Sequence, residues 1–190
     1  MFFVYIKHKF KIQFRRIAMS FNQLALERYS VRKFSSKTVE GEKIDLILKT
    51  AQASPTACNF QPQRILVIES EQAIDDLKAC TAYHFDAPLA FLICYDRTIA
   101  WNREYDDNNS GEVDASIVTT HMMLQAAELG LGTTWVGYFD PKKICERFNL
   151  PENYIPVALL PTGYPADDSS PKPAHYKRYP LEQTVYYNHY

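Results

Sequence analysis

The sequence predicts a layered domain of α/β or α+β class, because apolar runs of strand length alternate with segments of helical periodicity. Residues 64–70 and 88–96 are the clearest strands, and the second has no polar alternation, which indicates burial on both faces. Between them, apolar residues recur at the spacing of amphipathic helices. A chain of 190 residues with 46% hydrophobic content can bury one sizeable core, so we expect residues 19–190 to form a single domain.

The individual elements follow from this spacing and from local start and stop signals. The predicted helices are a short one from Phe21 and then residues 40–53, 71–80, 109–129 and 141–148. The predicted strands are residues 64–70, 88–96, 133–139 and 154–165. In the longest helix, Asn109 and Glu112 have the spacing of a capping box. Four prolines between residues 165 and 180 predict a surface loop there.

The longest predicted helix is apolar on two sides. Its two stripes are Val113, Ile117, Leu124 and Ala127, and Val118, Met122 and Ala126. A helix that is apolar over so much of its surface must be covered on both sides. In a chain of this length we expect the second cover to come from a partner subunit, which predicts a homodimer.

Charge and cysteine content exclude several classes of function. The formal net charge of -1 gives no general attraction to nucleic acid or to an anionic membrane, so we expect neither as a partner. The four cysteines include no C-x-x-C pair, so neither a zinc site nor a redox dithiol is predicted. A cytoplasmic location fits this use of cysteine best.

Residues 1–18 differ from the rest, since they hold five cations and no acid. Their apolar run comes before the cations and is too short to span a bilayer, whereas a secretory signal has the opposite order. We therefore expect an N-terminal extension outside the domain, with the functional chain beginning at Met19.

Two arginines follow the first predicted helix in the stretch "ERYSVRKF", residues 27–34. If the helix continued through them, Arg28 and Arg32 would share one face, and paired guanidinium groups suit a dianionic phosphate. The alternative is an ordinary solvated helix face. A second basic pair, Lys177 and Arg178, lies near the other end of the chain.

The stretch "SPTACNFQPQR", residues 54–64, is a proline-bounded turn that leads into a buried strand. The amides of Asn59 and Gln61 offer donors and acceptors together, which suits the rim of a planar heterocycle. The alternative is that these amides only hold the backbone of the loop.

The glycine pattern excludes a Rossmann nucleotide site. After Gly130 and Gly132, the third glycine of that motif would fall at Trp135. The stretch also lies after a helix and before a strand, which is the reverse of the order that aims helix amides at a pyrophosphate. Any phosphate must therefore be bound largely by side-chain cations.

Five stretches in this order resemble one family. They are "RYSVRKF", "SPTACNFQP", "AAELGLGTTWVGYFD", "LLPTGYP" and "KRYPLEQTV". From Met19 to its last residue the chain resembles the minimal form of the flavin-dependent nitroreductase family. The resemblance implies an α+β fold, a three-layer α/β/α sandwich with a mixed sheet and flanking helices, and a homodimer that binds FMN at the subunit interface.

The resemblance implies cofactor contacts for the cationic residues. Arg28, Ser30 and Arg178 resemble the phosphate and ribityl contacts of the family. Arg32 is similar to the cation near the pyrimidine edge of the ring. Tyr29 is also a predicted cofactor-binding residue, although relatives often have a basic or polar residue at this position, and this increases the weight on Arg32 and Arg178.

The resemblance also implies contacts from the proline-bounded turn. Pro55, Thr56 and Ala57 match the segment that packs on the flavin from the other subunit. Asn59 and Gln61 lie in its continuation.

A third group of implied contacts lies in residues 135–138, after the glycines Gly130 and Gly132 that follow the long predicted helix. Gly137 and Tyr138 match the positions whose backbone N–H groups face the hydride-accepting nitrogen and the adjacent carbonyl of the flavin. Trp135 either stacks near the flavin or belongs to the ordinary core.

The activity implied is an FMN-dependent NAD(P)H oxidoreductase that reduces nitroaromatic, quinone or similar small acceptors by ping-pong hydride transfer. No acid/base pair of the protein is required, because the flavin performs the chemistry. The alternatives are a flavin-binding storage or sensor protein without turnover, and a dehalogenating or flavin-consuming relative on the same scaffold.

Overall fold

The computed structural model describes residues 19–190, and the predicted extension over residues 1–18 lies outside them. The helices are α1 (Phe21–Glu27), α2 (Gly41–Gln52), α3 (Glu71–Lys78), α4 (Gly111–Glu128) and α5 (Pro141–Arg147). The strands are β1 (Gln63–Ile68), β2 (Leu89–Asp96), β3 (Asn102–Arg103), β4 (Asn108–Asn109), β5 (Gly132–Thr133) and β6 (Tyr154–Gly163). Short 3-10 turns cover Ala57–Asn59, Pro173–Tyr176 and Leu181–Gln183.

Within residues 19–190, four strands form one sheet in the order β1-β2-β6-β5. Every neighbouring pair in it is antiparallel. In this part of the chain, the parallel pairing that a mixed sheet requires is limited to a single bridge between Ser30 and Thr133. The polar stretch before α4 adds a separate hairpin of β3 and β4, which the sequence did not predict.

The strand β2 lies at the centre of the buried core and separates two apolar clusters. Successive side chains of a strand point to opposite faces. Leu89, Phe91 and Ile93 therefore pack with α2 and α4, whereas Ala90, Leu92 and Cys94 pack with α3 and α5. This confirms the prediction from the unbroken apolar run that β2 is buried on both faces.

The helix α4 begins one residue later than the capping-box pattern predicted. Its N-terminal flanking residue is Ser110, and Asn109 accepts a hydrogen bond from the N–H of Gly111 at 3.0 Å instead. Of the two predicted stripes, the one with Val118 and Met122 is buried. The other is half-buried to exposed in the single chain, and Val113 lies at its exposed end.

The predicted strand over residues 133–139 is wrong beyond its first residue. Only Gly132–Thr133 pairs regularly with β6, and Val136 adds one isolated bridge to Leu159. Between and after these contacts, Trp135, Gly137 and Tyr138 turn out to solvent. An apolar and aromatic composition therefore did not produce a strand here.

None of the helices in residues 19–190 combines the length and the apolar character needed to cross a bilayer.

Candidate functional site

Arginines from the two ends of the described chain line one cavity of about 260 Å³. The segment after α1 contributes Arg28, Ser30 and Arg32, and the segment after the turn Pro173–Tyr176 contributes Arg178. The other lining residues are Tyr29, Lys172, Ala174 and His175. The cationic residues singled out in the sequence are thus brought together, although 28 and 178 are far apart in the chain.

The cationic residues share one side of the chain for a reason different from the predicted one. The helix α1 ends at Glu27, and Arg28 has an extended ψ of 140°. In an extended segment every second residue faces the same side, so residues 28, 30 and 32 fall together by a period of two. The helical continuation was wrong, but the shared face is present.

The extended segment is held against β5. The N–H of Val31 donates to the carbonyl of Thr133 at 2.9 Å, and Ser30 forms a parallel bridge with Thr133. The side chain of Val31 is buried and fits against Gly132, where an added Cβ would lie 2.4 Å from it. The glycine therefore lets the cationic segment approach the sheet closely.

Within residues 19–190, the guanidinium groups of this cavity have no carboxylate within ion-pair distance. Arg32 donates to the carbonyl of Ser30 at 3.1 Å, and Arg178 donates to that of Lys177 at 2.8 Å. By contrast, Arg147 at another site is paired with Asp76 at 2.9 Å. Three arginines around one cavity without a protein anion favour an external anion such as a phosphate.

Two aromatic rings form one wall of the cavity. The hydroxyl of Tyr29 donates to the Oγ of Ser169 at 3.2 Å, and its ring lies edge-on to that of His175 with centroids 6.4 Å apart. His175 and Lys172 were missed in the sequence. The signal was present, since both lie in the basic stretch "KPAHYKR" that ends at Arg178.

The loop with the predicted heterocycle contacts does not line this cavity in the described chain. Pro55 and Asn59 are exposed, and Thr56 and Ala57 are half-buried. The hydroxyl of Thr56 accepts from the N–H of Gln61 at 3.1 Å. The side chain of Gln61 donates to the carbonyl of Asn59 at 3.4 Å, so this amide does hold the loop backbone, as the simpler alternative predicted.

The segment after β5, which is bridged to Ser30 through Thr133, has an open backbone. The added Cβ of Gly137 would meet no atom within 4 Å, and Tyr138 is 78% exposed. Within residues 19–190, the N–H groups of Gly137 and Tyr138 donate no hydrogen bond. The carbonyl of Tyr138 is held by the hydroxyl of Thr81 at 2.6 Å, so these donors are fixed while they remain open to a ligand. Trp135, 36% exposed, lies in the same segment.

Among the described residues, no three metal-binding side chains form a group. Burial raises the pKa of the Cys94 thiol to about 12 and also raises that of Cys80, so neither is a thiolate at neutral pH.

The fold and the site together define an α+β protein with a cationic cavity and, after β5, a separate backbone segment with open N–H donors. The chain belongs to the nitroreductase family, which it matches over residues 25–89 and 83–164.

Three relatives illustrate the match. A nitroreductase family protein from Clostridium difficile 630 is 43% identical, with a TM-score of 0.85 over 90% of this chain and 100% of that chain. An FMN-dependent nitroreductase from Clostridium difficile R20291 is 26% identical, with a TM-score of 0.72 over 88% of this chain and 98% of that one. An FMN reductase [NAD(P)H] from Bacillus subtilis is 28% identical, over 76% of this chain and 65% of that protein.

Proposed function

We propose that this protein is an FMN-dependent NAD(P)H oxidoreductase that reduces nitroaromatic, quinone or similar small acceptors. The observation that carries the proposal is the cavity in which Arg28, Arg32 and Arg178 have no carboxylate partner among residues 19–190. A dianionic phosphate supplies the missing charge. The printed names of two relatives, an FMN reductase and an FMN-dependent nitroreductase, support the choice of FMN.

The residues of the cavity fit the phosphate end of this cofactor. Arg28 and Arg178 both line the cavity and would bind the phosphate with charge-assisted hydrogen bonds, and the hydroxyl of Ser30 would add a further contact. Arg32 lines the same cavity, and its assignment to the pyrimidine edge of the ring is part of this proposal. Gly137 and Tyr138 would donate their N–H groups to the ring. When bound, FMN supplies the hydride chemistry.

We propose a homodimer with a three-layer core, in which each copy completes the site of the other. The loop 55–61 does not line the cavity of its own chain, so in this proposal the ring contacts of Thr56, Ala57 and Asn59 come from a partner. The half-exposed stripe of α4 and the exposed aromatic residues of the last segment support such an interface. The aromatic residues are Tyr176, Tyr179, Tyr186, Tyr187 and Tyr190, and the aliphatic Leu181 of the same segment is also exposed.

Steady-state turnover tests the proposal against a flavin-binding store or sensor. Protein reconstituted with FMN is mixed with NADH or NADPH and an excess of a nitroaromatic or a quinone, and nicotinamide oxidation is followed by absorbance. An enzyme oxidises many equivalents for each bound FMN, and alternate use of one open face by donor and acceptor gives the parallel double-reciprocal plots of ping-pong kinetics. Oxidation that stops after one equivalent would identify a binder without turnover and overturn the proposal.

The same assay separates the remaining alternative on this scaffold. Product analysis should show reduced acceptor and unchanged FMN. Loss of the flavin, or release of halide from a halogenated acceptor with no nitro or quinone reduction, would favour the flavin-consuming or dehalogenating alternative. We further propose that the protein works in the cytoplasm, and fractionation of cells that express it tests this.

A further inference from the structure

A buried carboxylate ties the loop 55–61 to the long helix. Asp114 lies in the first turn of α4 and is 2% exposed. Its Oδ1 accepts a hydrogen bond from the N–H of Ala57 at 2.9 Å, and its Oδ2 accepts from the hydroxyl of Ser110 at 2.7 Å. Within residues 19–190 no cationic side chain lies within ion-pair distance of it.

The burial of this charge has a physical explanation. Both carboxylate oxygens accept a hydrogen bond, and the positive end of the dipole of an 18-residue helix favours a negative charge in its first turn. Burying a carboxylate costs free energy unless hydrogen bonds compensate it, so the partners of Asp114 indicate which parts of the structure it holds. Of the two partners, Ser110 belongs to the start of the same helix, whereas Ala57 belongs to the loop.

The loop has a backbone that needs external support. Cys58, Asn59 and Gln61 have φ angles of 50°, 56° and 51°, in the left-handed region that residues with a Cβ disfavour. Such conformations persist where the surroundings fix them. The bond between Thr56 and Gln61 and the turn bond from Phe60 to Ala57 lie within the loop, whereas the bond to Asp114 joins it to the core.

We propose that Asp114 is a positioning residue, which holds the loop 55–61 in the one conformation that completes the cofactor site. That the loop completes the cofactor site rests on the proposed function. That Asp114 holds the loop does not, because it follows from the hydrogen bond to Ala57. In this role Asp114 would not itself contact substrate or cofactor and would act through the N–H of Ala57, which donates to its Oδ1. It fixes Ala57 directly and Thr56 and Asn59 through the turn that begins there.

Amide hydrogen exchange measured by mass spectrometry tests the hold on the loop without any cofactor. Asp114→Ala should raise the exchange rate of residues 57–61 at least tenfold and leave that of β2 unchanged. In Asp114→Asn the amide oxygen can still accept from the N–H of Ala57, and the amide N–H can donate to the hydroxyl oxygen of Ser110. This conservative variant should therefore restore the slow exchange. Glu112→Ala is the matched control. Glu112 lies in the same turn of α4, and its acidic side chain is exposed.

FMN titration of the same variants tests what the loop is held for. Asp114→Ala should weaken FMN binding at least tenfold, whereas Asp114→Asn and Glu112→Ala should stay within threefold of the unmodified protein. If Asp114→Ala does not fold, Ala57→Pro removes the donor of the same bond. Thr56 already has the extended conformation, φ -135° and ψ 159°, that a residue before proline adopts, so the backbone before residue 57 accommodates this substitution. Because the bond to Asp114 is lost, the amides of residues 58–61 should again exchange faster.

The outcomes are distinct. Slow exchange of the loop in Asp114→Ala, or in Ala57→Pro where it replaces that variant, would overturn the inference. Fast exchange with unchanged FMN affinity would overturn it as well, since the conformation would then not serve the cofactor. If the unmodified protein fails to bind FMN, the proposed function fails, and fast exchange in Asp114→Ala still supports the hold on the loop.

Discussion

The cavity of arginines makes a quantitative prediction for two substitutions, Arg28→Ala and Arg178→Ala. Arg28 is half-buried, so its charge-assisted bond to a phosphate is partly shielded from water, and its loss should cost about 2 kcal/mol, a weakening of about 30-fold in the Kd of FMN. Arg178 is exposed, and solvent screening should reduce its contribution to about 1 kcal/mol, about fivefold in Kd. Arg28→Ala should therefore have the larger effect.

The assay is a titration of the apoprotein with FMN, followed by quenching of the flavin fluorescence. Riboflavin, which has the ring and the ribityl chain but no phosphate, is the matched ligand, and its affinity should be the same in both variants and in the unmodified protein. Arg97→Ala is the matched control variant, because Arg97 is an exposed arginine that lies outside the cavity and faces Glu152 at 3.8 Å.

Salt gives a second measurement of the same contacts. The effect of both substitutions should shrink as the ionic strength rises, because salt screens exposed charges most. Equal loss of affinity for FMN and riboflavin would refute the assignment of these arginines to the phosphate. Retention of full FMN affinity in both variants would refute it as well.

Three further predictions concern the neighbouring contacts. Arg32→Ala should lower the midpoint potential of bound FMN by about 30 mV if the lost interaction with the reduced ring is about 1.4 kcal/mol, and a potential that stays unchanged in spectroelectrochemistry would remove this role. Gly132→Ala should lower the free energy of unfolding by about 1 to 3 kcal/mol in urea, since the new Cβ would overlap Val31, whereas Gly41→Ala, with no atom within 4 Å, should not. The hydroxyl of Tyr164, helped by the ammonium of Lys37, lowers the pKa of Glu40 from 4.5 to about 2. The ionised carboxylate therefore adds stability that is fully present above pH 4.5 and is lost as the pH falls toward 2. The difference in urea midpoint between Glu40→Gln and the unmodified protein should be constant near neutrality and should disappear between pH 4.5 and about 2.

The helices and the central strands could be predicted because their signals are local. The apolar spacing in α2 and the unbroken run of β2 determine what each element must bury, whatever its neighbours are. The short pairing of β5 could not be predicted in this way. Val136 pairs with Leu159, but Gly137 and Tyr138 turn outward although β6 continues to Tyr154, so the apolar composition does not mark where the pairing ends.

The site was predicted in its residue types but not in its backbone geometry. Arg28 and Arg32 were expected on a helix, and the end of α1 at Glu27 made the segment extended. Asp114 was missed, although it lies four residues before Val118 on the buried stripe of α4, and an acid on such a stripe is a signal of a buried hydrogen-bond partner.

The arginine cavity also determines how the apoprotein behaves in ordinary buffers. The arginine side chains of the cavity have no counter-ion among residues 19–190 and repel one another. This repulsion lowers the stability of the folded protein until an anion binds. Inorganic phosphate or sulfate in the medium should relieve that repulsion and raise the melting temperature of the colourless protein. The same salts should compete with the cofactor during reconstitution, so loading is best attempted in buffers whose anions are monovalent.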